Sequence, residues 1–306
     1  RALADAGMLA DGEFVHAVVQ QTAYARITRQ RRRGLHLAAA DACVELMPEP
    51  EQAAFAARHL YHAGAGPRAV TALVEAAHRA RGAGAYEEAV LHLRREVEVR
   101  AADGAAFQRA ERPDRLVVLG DLLELLGRYV DGVEVFQEAV EVGAGPRAVR
   151  GLAGCLRRLG RHEEAVELAE TALAGELDPA DRLAIAEERA WSLSARGRLE
   201  EALAGLPEPR GQLETARVDL LRGYAMGESG RPEEGVAVLR SAASTFLQAG
   251  RSGSAARALR FAAEILACDL EVPESIEVYL AQTKTALVHA ISQLHAIIET
   301  AERGIA

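Results

Sequence analysis

Five glycine-centred breaks recur along the chain, at Gly84, Gly127, Gly160, Gly197 and Gly230, in steps of 43, 33, 37 and 33 by subtraction. No other feature narrows the fold as much. A period near 34 residues marks units of two helices, each unable to bury its apolar face except by stacking on the next. Alanine, leucine, arginine and glutamate dominate between the breaks. These are strong helix formers, and the alternating Val/Ile/Thr runs of strands are scarce. With 49% hydrophobic residues among 306, there is ample material for a core.

Aligned on the glycines, the units share one pattern of residue size. Leu116, Leu119, Gly120 and Leu123 precede Gly127; Tyr129, Gly132, Phe136 and Ala139 follow it. The next unit places Val149, Leu152, Ala153 and Leu156 before Gly160, then Ala165, Ala169 and Ala172. Small residues at two fixed places let paired helices approach closely. Larger ones between them fill the gap to the next pair, and the glycine closes the first helix in a tight turn.

This size pattern resembles the tetratricopeptide repeat (TPR) over about residues 67–245, in five consecutive units. The resemblance implies an all-α fold: a right-handed superhelix of antiparallel TPR-like helix pairs. A sixth pair is expected, with Ser252–Leu266 as its first helix and Pro273 opening its second. The expected division is an N-terminal element over 1–48, the repeat array over 49–270, and a C-terminal capping or signalling helix over 271–306.

Residues 1–66 do not fit the repeat. Arg1–Ala6 reads as a helix end and Gly7–Phe14 as a short β-hairpin. Helices are expected near His16–Arg26, Arg29–Leu46 and Glu51–Ala63. Phe14-Val15-His16-Ala17-Val18, Ala23-Tyr24 and Arg31-Arg32-Arg33-Gly34-Leu35-His36 resemble the segment after the nucleotide-binding core of STAND-type signal-transduction ATPases, a class that includes large ATP-binding transcription regulators. There a winged-helix element leads into a superhelical repeat region. The resemblance implies that residues 1–48 are a winged-helix remnant, that the rest is the regulatory arm, and that His16 and His36 hydrogen-bond between helices of that element. The core itself is missing, and the chain, beginning at Arg1, reads as an excerpt of a longer protein. The only lysine, Lys284, has no glycine near it, so no phosphate-binding loop of the G-x-x-x-x-G-K-[ST] kind is present.

Catalytic motifs are absent as well. There is no G-x-S-x-G, C-x-x-C or H-E-x-x-H. The acidic pairs Glu87-Glu88, Glu163-Glu164, Glu200-Glu201 and Glu233-Glu234 share one repeat position, the start of the second helix. There they complement the helix dipole rather than form a catalytic dyad. His59 and His62 share a helix face, but no ligand at matching spacing accompanies them, and no metal or other cofactor is expected. Cys43, Cys155 and Cys268 read as small buried hydrophobes, which suits a cytoplasmic protein. The net charge of −9 argues against a non-specific nucleic-acid binder, and no membrane span is expected.

Counting back from each glycine places Arg147, Arg150, Arg157 and Arg158 on the groove side of one first helix, with Trp191 and Tyr224 on the next two. Arginines in a concavity take carboxylates or phosphates through bidentate hydrogen bonds, and the aromatic rings would anchor an apolar group. The competing reading pairs these arginines with acids of neighbouring units, such as Asp114, Asp121, Glu124 and Glu187, and makes Trp191 core. The expected function is a non-enzymatic binding or regulatory module that receives a protein segment or a small acidic effector. A free-standing scaffold for protein–protein contacts is the alternative, and an oligomer is left open.

Overall fold

A computed structural model describes residues 9–10, 13–14, 16–102 and 112–268. Among them lie fourteen helices and one two-residue ladder. Strands β1 (Leu9–Ala10) and β2 (Glu13–Phe14) pair antiparallel, Leu9 opposite Phe14, at the expected hairpin. The helices are α1 (Ala17–Arg26), α2 (Arg29–Leu46), α3 (Glu49–His62), α4 (Pro67–Gly82), α5 (Tyr86–Ala102), α6 (Arg112–Leu125) and α7 (Tyr129–Glu141). They continue as α8 (Pro146–Arg158), α9 (His162–Leu173), α10 (Pro179–Ser194), α11 (Leu199–Ala204), α12 (Gln212–Glu228), α13 (Pro232–Gln248) and α14 (Ser252–Cys268). The expected helix end at Arg1–Ala6, the helix opened by Pro273 and the 271–306 segment lie outside the described residues. The chain divides into two compact units, residues 1–151 and 152–306, with the division inside α8.

Each of the five glycines sits at φ between 71° and 77°. That region is open to glycine at little cost and closed to most residues with a Cβ. Around Gly127 the turn closes as a Schellman motif. Gly127 N donates to Glu124 O at 3.0 Å, and Arg128 N donates to Leu123 O at 2.8 Å. Gly160–Arg161, Gly197–Arg198 and Gly230–Arg231 repeat these bonds. The arginine after the glycine is then the N-cap of the second helix. Its guanidinium pairs with the acid three residues on: Arg128 with Asp131, Arg161 with Glu164 at 2.6 Å, Arg198 with Glu201 at 2.5 Å and Arg231 with Glu234 at 3.7 Å. The second member of most acidic pairs is thus held by a neighbour on its own helix.

Within the first unit the size pattern acts through Phe136 on α7, which is fully buried. A methyl placed on Gly120 of α6 would lie 2.6 Å from its ring, and one on Gly151 of α8 would lie 2.3 Å away. The ring is held between two glycines, so it cannot withdraw from one without entering the other. Leu73, Ala76, Ala77 and Ala80 of α4 join two neighbouring clusters, one with α2 and α3 and one with α5 and α6. In the second unit, Gly223 of α12 and Gly235 of α13 bring backbones together; a methyl on Gly235 would meet the Gly223 carbonyl oxygen at 2.6 Å. Helix α11 is only six residues long. Gly205, Pro207 and Pro209 end it, since proline offers no N–H and disfavours helix before it.

The N-terminal helices are joined by a polar chain. His36 on α2 lies 2.7 Å, through Nε2, from the Tyr24 hydroxyl on α1, and its Nδ1 lies 3.0 Å from His59 Nδ1 on α3. His36 therefore bonds between helices, as the resemblance implies, whereas the side chain of His16 makes no capping hydrogen bond to α1. Helix α1 buries no residue at all. Burial, the largest cause, holds His36, His59 and His62 below the ordinary histidine range. Arg58 lowers all three further, Arg32 acts on His36, and Arg95 acts on His62.

Two outcomes follow from this packing. Gly151→Ala overpacks the Phe136 cage and should cost about 1–3 kcal/mol, read as a lower urea midpoint; Phe136→Leu in the same background should recover part of it. The histidines titrate with the opposite consequence to a group whose charged form is stabilised by a partner. As pH falls through about 6.5 the unfolded chain takes up protons more readily than the native one, so stability present above that pH is lost below it. The thermal midpoint should fall between about pH 7.5 and 5.5, and the slope should flatten in His36→Asn.

Candidate functional site

The four arginines expected on one groove divide between the two units. Arg147 and Arg150, in the first, both turn to Asp121 of α6: Arg147 Nη2 donates to Oδ2 at 2.8 Å, and Arg150 Nη2 is 3.9 Å from Oδ1. These are ion pairs between neighbouring helix pairs, as in the competing reading. Both arginines are exposed enough for water to screen most of the attraction.

Arg157 and Arg158 belong to the second unit, and their surroundings differ. Arg157 Nε donates to Glu188 Oε2 of α10 at 2.9 Å, both side chains being about four-fifths buried, at 18% and 20% exposure. One turn along α10 from Glu188 stands Trp191. Its ring lies 5.3 Å from that of Phe261 on α14, nearly parallel at 26°. Tyr224 of α12 completes the group, 5.7 Å from Trp191 and 4.9 Å from Phe261. Trp191 is half-buried and packs on both the α9–α11 and the α12–α14 clusters, so it is at once core and edge. Two turns before Tyr224, Arg217 Nη2 donates to Glu187 Oε2 at 2.6 Å. Burial raises the Glu187 carboxyl pKa, and Arg217 opposes the rise only in part.

Helix α14 supplies two further residues. Arg257 and Phe261 are four apart and share a face. Desolvation first, then the positive charges of Arg157 and Arg158, lower the pKa of Arg257. It makes no ion pair or hydrogen bond among the described residues. Arg260 stacks its guanidinium 4.4 Å above the Phe261 ring and pairs with Glu264. One face therefore carries three aromatic rings beside a cluster of guanidiniums in which Glu188 is already engaged. Such a face offers bidentate donors to a carboxylate or phosphate and a flat apolar anchor next to them.

Counting back from a glycine could not find Arg257, Arg260 or Phe261, because no such break follows α14 among the described residues. The four-residue spacing of Arg257 and Phe261 was the available signal. Elsewhere in the second unit, a depression of about 470 Å³ is lined by Arg182, Glu208, Arg210 and Glu214 among others. Its polar groups are tied to backbone: Arg182 donates to the carbonyls of Leu173 and Gly175, and Glu214 accepts from the Arg210 amide. Among the described residues, no group of three or more His, Cys, Asp and Glu is disposed to hold a metal ion. No helix there is long and apolar enough to cross a membrane.

No family model matches the sequence, and no curated protein matches it either. Solved structures similar to this chain are helix-repeat proteins. The MamA protein is 16% identical, with a TM-score of 0.42 over 60% of this chain and 94% of that one. A thermophilic TPR protein from Thermus thermophilus is 22% identical, with a TM-score of 0.37 over 57% and 99%. Nearly identical TPR-like repeats of a kinesin light chain homologue from Podospora anserina are 20% identical, with a TM-score of 0.40 over 64% and 97%. At these scores the likeness does not bear on function.

Trp191 is the sole tryptophan, so its fluorescence reports on this face alone. Phe261→Ala uncovers one side of the indole and should move the emission to longer wavelength. An unchanged spectrum would mean that the stacked pair does not persist in solution.

Proposed function

We propose that this chain is a non-catalytic binding and regulatory module, the TPR arm of a signal-transduction ATPase-type regulator, which receives an acidic protein segment or small acidic effector on the face formed by α10, α12, α14 and the end of α8. The observation that carries this reading is Arg257: an exposed guanidinium beside Arg157 and Arg158, with no ion pair or hydrogen bond of its own among the described residues, at the edge of an aromatic group. The neighbouring guanidiniums repel one another, and an incoming anion relieves that repulsion through charge-assisted hydrogen bonds. The resemblance of residues 1–100 to the segment following a nucleotide-binding core supports the regulatory-arm part. In that setting, ligand binding acts on the core only if two states of the arm differ in affinity for the ligand.

A free-standing scaffold is favoured by a different observation. Arg147, Arg150, Arg157 and Arg217 all pair with acids on neighbouring first helices, which engages these arginines within the fold. A nucleotide-binding core encoded immediately before Arg1 in the gene would decide for the arm, and any other preceding sequence for the scaffold.

The binding site is tested by a thermal-shift screen against acidic peptides and small di- and tricarboxylates, in which a ligand of the native state raises the midpoint with its concentration. A hit should weaken about 10–100-fold in Arg257→Ala, the range for losing a charge-assisted hydrogen bond. It should survive Arg147→Ala. Equal loss in both variants, or no hit across the panel, would remove this face as the site.

A further inference from the structure

A second cationic cluster lies in the first unit, apart from the face above. His36 of α2 has its ring centre 5.3 Å from that of His59 and 5.3 Å from that of His62, both on α3. Tyr24 of α1 stands against the far edge of His36. Arg32 of α2 lies over the Tyr24 ring at 5.2 Å, and its Nε is buried without a hydrogen-bond partner. Arg58 shares α3 with the two histidines, and Arg95 of α5 lies over the ring of Tyr61 at 5.1 Å. The nearby carboxylate, Glu98 of α5, accepts a hydrogen bond from the Tyr61 hydroxyl at 2.6 Å. No carboxylate is among the groups that act on the three imidazoles. The three rings are not disposed to hold a metal ion, and the surrounding guanidiniums repel one.

We propose that His36, His59 and His62, with Arg32 and Arg58, form an acid-gated site for a small soluble dianionic oxyanion of the phosphate or sulfate class. When the imidazoles are neutral, one Nδ1 of the His36–His59 pair donates to the other and the cluster is closed on itself. A proton on each makes both nitrogens donors; two donors at 3.0 Å repel, so the rings part and leave room for an acceptor to bridge them. A tetrahedral oxyanion supplies that acceptor and has further oxygens for Arg32 and Arg58. The unpaired Arg32 Nε is the donor that the closed state leaves unused. His62 and Arg58 are exposed, so the site opens to solvent on the α3 side. Because protons and anion bind the same state, each favours the other.

The experiment follows the histidine ring resonances of the full chain by NMR through a pH titration, in chloride and in millimolar sulfate at matched ionic strength. Sulfate is suited to this because it remains dianionic throughout. The three histidines are assigned by single His→Asn variants. The expected result is an upward shift of the His36, His59 and His62 titrations in sulfate. Sulfate affinity should rise at least about tenfold from about pH 7.5 to 5.5, since each proton taken up with the anion adds up to about tenfold per pH unit. Arg58→Gln, at an exposed position, should leave the melting midpoint in chloride at about pH 7.5 unchanged and weaken sulfate binding at about pH 5.5 about tenfold. Titrations unmoved by sulfate, or equal sulfate binding by Arg58→Gln, would overturn the proposal. So would zinc pulling the three titrations downward where sulfate does nothing, which would mark a metal site. Binding to phosphatidic acid vesicles without binding to free sulfate or inorganic phosphate would overturn the assignment to a soluble anion.

Discussion

The left-handed glycine turn is the constraint on which the rest of the structure depends. A chain that reverses direction within two residues brings the second helix back along the first at a fixed offset. At Gly127, Gly160, Gly197 and Gly230 the offset is set by the same two Schellman bonds. Once it is set, the small residues of the two helices meet at matching heights, and so do the large ones. Substituting any of these glycines would strain the backbone, although no side chain nearby would clash with the added methyl. The strain belongs to the turn, and its consequence is felt in packing two turns away. Gly120 and Gly151 have the opposite character. Their φ is ordinary and their space is not, because Phe136 fills it from both sides.

The turn also organises charge. Arg128, Arg161, Arg198 and Arg231 end one helix's cap and begin the next helix, and each pairs with the acid three residues on. Exposed pairs of this kind contribute little each. Their effect is to keep acids at the positive end of the second helix and to occupy arginines that would otherwise face solvent. That is why acidic doublets recur at one repeat position, where the helix dipole and the capping arginine both favour them.

The helix pairs were legible because their signals are local: a glycine break and small residues three and four positions from larger ones. The first helix of the sixth pair was legible for the same reason, starting at Ser252 as expected. The candidate sites were less so. The count from glycines placed Trp191 and Tyr224 on successive first helices, and the rings do meet, but it had no means of reaching Phe261. It grouped Arg147 with Arg158, which share a helix but belong to different compact units. The His36–His59–His62 cluster was further from view. His59 and His62 were readable as a pair on one turn, but the third ring comes from twenty-three residues before His59. It stands on a helix whose register against α3 is set by the packing of Ala40, Ala57 and Leu60.

Net charge is a poor guide to the local charge on this chain's surface. At −9 the whole sequence is acidic, yet Arg257 and Arg32 both make no ion pair among the described residues. The reason is geometric. A guanidinium on the repeat surface usually finds a carboxylate one turn away or on the adjacent first helix, as Arg157 finds Glu188 and Arg217 finds Glu187. Arg257 stands beside arginines that have already engaged the acids, and Arg32 stands beside histidines and an aromatic ring. Both positions depart from the repeat's regular pairing, one near the end of the described array and one before its first glycine.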